Sequence, residues 1–253
     1  MPERDEILSY LDDLLGAAAF NDHCPNGLQV PGTAKVTKVV TGVTGQLELF
    51  ERAAQIGAQL VIVHHGIFWD FHPRHLSEIQ AGRLRVLLGS NINLAAYHLP
   101  LDAHPEIGNN ALILDGLGCV SREPFGDHHG VKIGFAGRFS GEGIAIAELI
   151  SRVKKLTGRE PLLLGAGPER VASIGIVSGG AANDLSEAID GGLDAFLTGE
   201  PAEHVMAQAR EAKVHFIAAG HYATETFGVQ RLGELLAERF SIEHTFIDIP
   251  NPV

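Results

Sequence analysis

Two alternating hydrophobic patterns along the chain predict an α/β fold, with mixed sheets covered by helices. Short apolar runs rich in Val and Ile alternate with segments whose apolar residues recur at helical spacing. With 253 residues, 45% of them hydrophobic, the chain is long enough for one large domain or two smaller lobes. A degenerate repeat between the two halves favours two similar lobes that arose by internal duplication.

The first half shows the strand–helix alternation most clearly. The acidic N-terminal segment "MPERDEILSYLDDLL" has apolar residues at helical spacing and lacks the basic-then-apolar order of a signal peptide. Strands and helices are then predicted in turn from "KVTKVVTGV", "QLELFERAAQIG", "AQLVIVHHG", "LSEIQAGRLRVLLGS" and "INLAAYH". This order is typical of βαβ units in a mostly parallel or mixed sheet.

A segment rich in Gly and Pro, "EPFGDHHGVKIGFAGRFSGEG", separates the two halves. It predicts a lobe boundary or a hairpin, and we place the lobes at residues 1–125 and 126–253. After this segment, the order of strand, helix and strand is repeated by "RVASIGIVSGG", "DLSEAIDGGLDAFLTGE" and "KVHFIAAGHYATE".

The halves also correspond residue by residue. Five residues of the first half correspond to five of the second at one constant offset. They are Val36, Val39, Gly57, Val61 and Ile62, which match Val171, Ile174, Gly192, Phe196 and Leu197 in that order. "LAAYHLPLD" then matches "IAAGHYATE" at a shorter offset, so each half ends a strand in Ala-Ala-x-His-x-x-x-acid. Ligands of α/β proteins gather at the carboxyl ends of strands, and we expect a site between the two lobes.

Composition excludes several functional classes. A net charge of −12 argues against a general nucleic-acid binder, because such proteins neutralise phosphates with Lys and Arg. No apolar run reaches membrane-spanning length. Cys24 and Cys119 share no metal-binding or disulfide spacing, which fits a reducing cytoplasm.

Histidines and carboxylates follow three of the predicted strands. His64 and His65 end "LVIVHH", His98 and Asp102 follow the next strand, and His221 and Glu225 follow the last one. Neighbouring strand residues point to opposite faces, so two adjacent histidines serve two ions more easily than one. A carboxylate bridging two ions about 3.5–4 Å apart would complete such a site. The sequence therefore predicts a dinuclear divalent-metal centre.

Several local interpretations stay open. A helix starting at His221 would place His221 and Glu225 on one face, whereas Pro100 favours a loop in "HLPLD". The pair His128-His129 lies in a turn-like segment, which favours a structural or solvated role over a second metal site. "VSGGAAND" lacks a P-loop ending, but it could form a backbone nest for an anion.

The motifs "VIVHHGIFW", "HLPLDAHPEIGNN", "FLTGE", "AAGHYATE" and "FIDIPNP" together resemble the NIF-three-like dinuclear-metal family, over nearly the whole chain. Bacterial members of that family are often labelled GTP cyclohydrolase I type 2 homologues. The resemblance implies a NIF-three-like fold and two metals held by His64, His65, Asp102, His221 and Glu225, with Glu225 as the bridge. His98 then faces the substrate or supports a ligand. The resemblance also implies a ring-shaped homohexamer, and the apolar ending "HTFIDIPNPV" is compatible with packing against a neighbouring chain.

These observations predict a metal-dependent hydrolase that uses a metal-bridging hydroxide on a small, phosphorylated or nucleotide-like substrate. No Ser-His-Asp or Cys-His motif competes with this chemistry, and the residues do not themselves assign a catalytic group. The alternative is a non-catalytic metal-binding or scaffold protein. Mixed imidazole and carboxylate ligands suit zinc, iron, manganese or nickel.

Overall fold

Helices and mixed sheets alternate along the chain, which confirms the predicted α/β class. The computed structural model describes residues 1–253. The helices are α1 (Arg4–Leu15), α2 (Leu47–Gln55), α3 (Glu78–Gly89), α4 (Leu99–Ala103), α5 (Asn109–Leu117), α6 (Ile146–Thr157), α7 (Leu185–Asp190), α8 (Val205–Ala212), α9 (His221–Thr224) and α10 (Thr226–Phe240). The strands are β1 (Gly27–Val30), β2 (Lys38–Thr44), β3 (Leu60–His65), β4 (Asn93–Ala96), β5 (Glu123–His128), β6 (Val131–Arg138), β7 (Ile144–Ala145), β8 (Leu162–Leu164), β9 (Arg170–Val171), β10 (Ser173–Ile176), β11 (Ala195–Thr198), β12 (His215–Ala218) and β13 (Glu243–Phe246). Short 3₁₀ turns cover Ala17–Ala19 and Ala182–Asp184.

The contacts within the chain define two units. Unit 1 comprises Met1–Leu101 and Gly228–Ile249, and unit 2 comprises Asp102–Phe227 and Pro250–Val253. The lobes at 1–125 and 126–253 come from the sequence repeat, and that division stays a prediction about the duplication. None of the helices is both long enough and apolar enough to cross a membrane.

Unit 1 is built on a five-stranded sheet in the order β1-β4-β3-β2-β13. The pairs β4-β3, β3-β2 and β2-β13 are parallel, and β1 runs antiparallel to β4. The strand β3 is buried from Leu60 to His64, which explains why it reads as an unbroken apolar run. Its neighbours include the fully buried Phe50 of α2 and Leu87 of α3.

The C-terminal segment contributes the last strand of the sheet in unit 1. Residues Glu243–Phe246 form β13, which includes the start of "HTFIDIPNPV" and pairs with β2 of the same chain from Lys38 to Thr41. His244 Nε2 also lies 2.8 Å from the hydroxyl of Thr41. This strand therefore covers the edge of β2 within the same chain.

Unit 2 is built on a six-stranded sheet in the order β5-β6-β10-β11-β12-β8. The central pairs β10-β11 and β11-β12 are parallel, and the outer pairs are antiparallel. The segment expected as a boundary or hairpin forms the β5–β6 hairpin. His129 and Gly130 make its turn, with φ of 53° and 87°, as a two-residue hairpin turn requires.

The two parallel strand pairs have matching registers. Val39 pairs with Leu60 between β2 and β3, and Ile174 pairs with Ala195 between β10 and β11. These four residues are related by the constant offset found in the sequence. The internal duplication remains an inference from this match.

The expectation of a loop at Pro100 is wrong. Pro100 lies inside α4, in its first turn, where the missing N–H of proline costs no helical hydrogen bond. A helix does begin at His221, but it is interrupted at Glu225, whose φ and ψ are −114° and 8°. The hydroxyl of Thr224 lies 2.9 Å from the carbonyl oxygens of Gly220 and His221 and tightens this turn.

Candidate metal centre

Three imidazoles of unit 1 converge where β3 and β4 end. His64 and His65 are the last residues of β3, and His98 follows β4 directly before α4. Each ring offers one nitrogen, and these nitrogens all lie within 4.8 Å of one another. The ring centroid of His64 is 4.8 Å from that of His65 and 4.9 Å from that of His98. Unit 1 therefore brings together three of the residues predicted for the site.

His64 is fixed by a backbone contact. The residue is fully buried, and its Nδ1 lies 3.1 Å from the carbonyl oxygen of Tyr97. A carbonyl only accepts hydrogen bonds, so Nδ1 carries the hydrogen and neutral His64 keeps its lone pair on Nε2. A backbone carbonyl that fixes the tautomer in this way is common behind metal-binding histidines.

His65 is more accessible and has different neighbours. Its Nδ1 lies 3.5 Å from the hydroxyl of Thr44 on β2, and its carbonyl oxygen accepts a hydrogen bond from Gly45. The ring centroid of Trp69 is 5.9 Å away. The two adjacent histidines thus have separate supports, although their rings lie side by side at the end of β3.

A second group lies in unit 2, at the start of α9. His221 Nε2 is 3.2 Å from Glu225 Oε1, and its Nδ1 contacts Glu200 Oε1. Glu225 is 2% exposed, so the carboxylate is buried beside the imidazole. Burial alone would lower the pKa of His221, but the carboxylates of Glu225 and Glu200 outweigh this and raise it to about 9.

Two glycines allow the backbone to approach this pair. Gly179 follows β10 with φ of 68°, and a Cβ placed there would overlap Glu225 Oε1 and lie 3.2 Å from His221 Nε2. A Cβ at Gly199 would lie 2.6 Å from the Cα of His221. The "VSGG" loop after β10 is thus packed against the carboxylate of Glu225, and the N–H of Gly179 donates to the hydroxyl of Thr224.

The same loop also contacts Asp102. This residue lies in α4, is 5% exposed, and belongs to unit 2. Its Oδ1 accepts hydrogen bonds from Asn109 Nδ2 at 2.8 Å and from the Ser178 hydroxyl at 3.0 Å. Because Ser178 directly precedes Gly179, one loop supports both Asp102 and Glu225.

Two carboxylates, one in α1 and one between α1 and β1, hold residues next to the imidazoles of unit 1 or the imidazoles themselves. Asp12 Oδ1 accepts a hydrogen bond from the hydroxyl of the buried Tyr97 at 2.7 Å. Asp22 accepts one from His98 Nδ1 at 2.8 Å. Burial opposes the charge of Asp22, yet its hydrogen bonds from His98 and from backbone N–H groups hold its pKa well below the usual range. Both residues also line a cavity of about 450 Å³.

The strand registers distinguish His98 from His221. In the parallel pairs β3-β4 and β11-β12, Asn93 and His215 occupy corresponding positions. Counted along the strands from these two residues, His98 corresponds to Gly220 and not to His221. The sequence match of the two Ala-Ala-x-His motifs is therefore displaced by one residue from the structural one.

Glu200 and Asp22 are the site residues that sequence reasoning missed. In the internal repeat, Glu200 is the counterpart of His65, but a carboxylate is a different kind of ligand from an imidazole. The repeat could have drawn attention to Glu200, because it places this residue at the equivalent strand end. Asp22 had no signal of its own. The pair His128-His129 lies at the β5–β6 turn.

The family model described as Duf34/NIF3 (NGG1p interacting factor 3) matches residues 2–252. A protein of Pseudomonas aeruginosa named "GTP cyclohydrolase 1 type 2 homolog" is 44% identical over 246 residues, which is 97% of each chain. A protein of the same name from Deinococcus radiodurans is 39% identical, over 98% of this chain and 93% of its own.

Solved structures with the same fold include protein ybgI, titled as of unknown function. It is 40% identical, with a TM-score of 0.93 over 99% of this chain and 100% of its own. TTHA1606 from Thermus thermophilus is 38% identical, with a TM-score of 0.91 over 99% and 100% of the two chains. The fold is therefore shared along the whole chain with both proteins.

Proposed function

This chain belongs to the Duf34/NIF3 family, and from that membership we propose that it is a dinuclear divalent-metal protein acting as a hydrolase on a small substrate. The observation that carries the proposal is the adjacent pair His64 and His65, each of which offers one ring nitrogen, within 4.8 Å of the other, at the end of β3. Imidazoles grouped so closely around a buried strand end are a donor set for a transition metal.

The proposed ligands are His64, His65, Asp102, His221 and Glu225, with Glu225 as the bridge. His64 and His65 are held by different neighbours, and each is proposed to serve a different ion. His98 is proposed to face the substrate.

The chemistry of the proposed ligands suits divalent metal ions. His64 keeps a lone pair on Nε2 because Nδ1 is held by a backbone carbonyl. Asp102 and Glu225 are buried carboxylates, and the backbone at Gly179 is shaped to admit Glu225. Nitrogen and oxygen donors in this mixture suit zinc, iron, manganese or nickel.

The chain's own residues would position the substrate and the ligands. Glu200 holds the ring of His221 through Nδ1, and Ser178 and Asn109 hold the carboxylate of Asp102. Two divalent ions, when bound, supply a water acidified towards neutrality and a Lewis acid for a phosphoryl or carbonyl oxygen. The name of the relatives, "GTP cyclohydrolase 1 type 2 homolog", supports a nucleotide-like or phosphorylated substrate.

The proposal extends to the assembly and its setting. We propose a toroidal homohexamer, as the family resemblance implies, and a cytoplasmic location, which the unpaired Cys24 and Cys119 favour. Light scattering at micromolar concentration tests the assembly, and a monomer would contradict it.

The test of function is an activity screen of metal-reconstituted protein against phosphoesters, nucleotides and cyclic amides. Elemental analysis should reach about two ions per chain. Glu225→Gln is the control, because it keeps the shape of the side chain and removes its charge. Saturation at one ion would contradict the dinuclear site. Full loading of wild type without turnover would instead support the non-catalytic alternative.

A further inference from the structure

The segment from Asp22 to Asn26 holds the carboxylate of Asp22 against the start of α4. The side chain of Asp22 is 2% exposed. Its Oδ1 accepts hydrogen bonds from His98 Nδ1 at 2.8 Å and from the Cys24 N–H at 3.1 Å. Its Oδ2 accepts from the Leu99 N–H at 3.0 Å and from Asn26 Nδ2 at 3.1 Å. A carboxylate has about four acceptor positions, so all those of Asp22 are used.

His98 is fixed by more than this one bond. Its backbone N–H donates to Asn26 Oδ1 at 2.9 Å. The ring of Trp69 packs against the imidazole, with ring centroids 5.3 Å apart and an angle of 79° between the ring planes. A nitrogen of the ring lies within 4.8 Å of those offered by His64 and His65. The imidazole is therefore held in one orientation beside the histidine pair.

The bond to Asp22 also selects the tautomer of His98. An ionised carboxylate only accepts hydrogen bonds, so Nδ1 carries the hydrogen. Neutral His98 then has its lone pair on Nε2, the nitrogen that Asp22 leaves to the site. Since His98 corresponds to Gly220 in the strand register, the repeat gives no reason to count it among the ligands.

We propose that Asp22 is a positioning residue, which holds His98 as the Nδ1–H tautomer so that Nε2 accepts a hydrogen bond from an N–H or O–H group of the substrate. This inference rests on the proposed function, because it gives His98 a substrate to contact. It goes further by assigning the substrate a hydrogen-bond donor at this position and by assigning Asp22 a role through His98.

Asp22→Asn is the informative substitution. It puts an NH₂ group where one carboxylate oxygen accepts two hydrogen bonds. If the NH₂ group takes the position of Oδ2, it faces the donors of Leu99 and Asn26. If it takes the position of Oδ1, it faces the Cys24 N–H and His98, whose ring can then accept at Nδ1 only by moving its hydrogen to Nε2. The variant should therefore lose the preference for the Nδ1–H tautomer.

The matched control is Asp70→Asn. Asp70 forms the other Asp–His pair of unit 1, with His23 Nδ1 at 2.9 Å, and both side chains are more than half exposed. The same chemical change at that pair should leave the site unaltered.

The first readout does not depend on activity. Side-chain ¹⁵N NMR of histidine-labelled protein, with His98→Gln for assignment, should show His98 as the Nδ1–H tautomer in wild type and in Asp70→Asn. Asp22→Asn should shift it towards Nε2–H. Adding zinc should not move the His98 Nε2 signal to a metal-bound position. An Nε2–H tautomer in wild type, or a zinc-bound Nε2, would overturn the proposal.

The second readout is kinetic, on any substrate found by the activity screen. Asp22→Asn and His98→Gln should each lower kcat/KM by about ten- to hundredfold, with metal content unchanged. The double variant should be no slower than His98→Gln, because Asp22 acts through His98. If the losses in kcat/KM of the two single variants multiplied in the double variant, the proposal would be overturned. If wild type turns over nothing, the proposed function fails, and the NMR result alone then decides the role of Asp22.

Discussion

Gly179 shows how a single missing side chain shapes the candidate site. Its φ of 68° lies in the left-handed region, and the space that a Cβ would take is occupied by Glu225 Oε1. Gly192 has nearly the same φ, 63°, but nothing lies within 4 Å of its Cβ position. The two glycines therefore separate the effect of backbone strain from that of the contact with Glu225.

Gly179→Ala should reduce metal content, because the new Cβ displaces the carboxylate of Glu225. Both Gly179→Ala and Gly192→Ala should lose about 1–2 kcal/mol of unfolding free energy through the left-handed backbone. Elemental analysis after reconstitution, together with denaturant unfolding, measures both quantities. Equal metal content in the two variants would show that Glu225 does not depend on this close approach.

Asp184 is a half-buried carboxyl that is not among the proposed metal ligands. Burial raises its pKa to about 6, the charges of Glu187 and Asp127 add to this shift, and Lys132 opposes it. The folded state therefore binds this proton more tightly than the unfolded chain. Its ionisation lowers stability as the pH rises through about 6, and protonation restores that stability as the pH falls towards 4.

Asp184→Asn should stabilise the protein at pH 7–8, because it removes a charge that the folded state disfavours. We expect a gain of only about 1 kcal/mol, because solvent screens the partly exposed carboxylate. The gain should shrink as the pH falls from 7 to 4, where the wild-type carboxyl is protonated. Urea unfolding at several pH values checks this dependence. The control is Asp190→Asn, at an exposed position at the end of α7. An equal gain in stability there would show that the burial of Asp184 is not the cause.

At the scale of residues, the sequence could point to candidate ligands but not to the residues that hold them. His64 and His65 were predictable because they end an apolar run whose strand character is local. Asp22 reaches His98 from a segment 76 residues away, and no local pattern encodes that contact. Glu200 was visible only through the repeat, as the counterpart of His65.

Among the elements, the break between α9 and α10 determines how Glu225 is presented. Glu225 leaves helical geometry, and its N–H bonds to the carbonyl of Tyr222 three residues back. His221 and Glu225 nevertheless remain in contact, with Nε2 and Oε1 3.2 Å apart. The tight turn therefore keeps the pairing expected of a helical face while it ends the short helix.

The β5–β6 hairpin allows a test of the second histidine pair. His128 ends β5, and His129 occupies the turn with φ of 53°. Replacing them with Gln and Asn keeps polar side chains, and Asn tolerates this backbone region. The double variant should retain the metal content of wild type, as measured by elemental analysis. A loss of one ion per chain would make this pair a metal site.

The order of the elements was largely predictable, and their ends were not. Apolar runs and helical spacing are local properties, so the strands and helices of both halves could be expected. The break at Glu225 depends on the hydroxyl of Thr224, which contacts carbonyls and the N–H of Gly179. The helical state of Pro100 depends on its place in the first turn of α4. Such contacts exist only once the chain is folded.

For the whole molecule, the proposed ligands link stability to metal binding. The five proposed ligands come from both halves of the sequence, so neither half alone would have enough for two ions. Ligands that bind only the folded state stabilise it, and at saturating metal the gain is about 3 kcal/mol. Removing metal with a chelator should lower the Tm of wild type by about 5–10 °C.

Glu225→Ala is the comparison for this measurement. It should show a smaller difference in Tm between chelator-treated and metal-loaded protein, because its affinity for metal is reduced. An unchanged wild-type Tm after chelation, or two ions bound by residues 1–125 alone, would contradict the proposed set of five ligands.

The pairing of β13 with β2 has a consequence for synthesis on the ribosome. Unit 1 completes its sheet only when residues 243–246 have been made, although β2 is translated some 200 residues earlier. At roughly 5–20 residues per second, the edge of β2 waits on the order of tens of seconds for its partner. During that interval the nascent chain carries an uncovered parallel edge rich in valine, which is when it is most open to capture by chaperones or by another nascent copy.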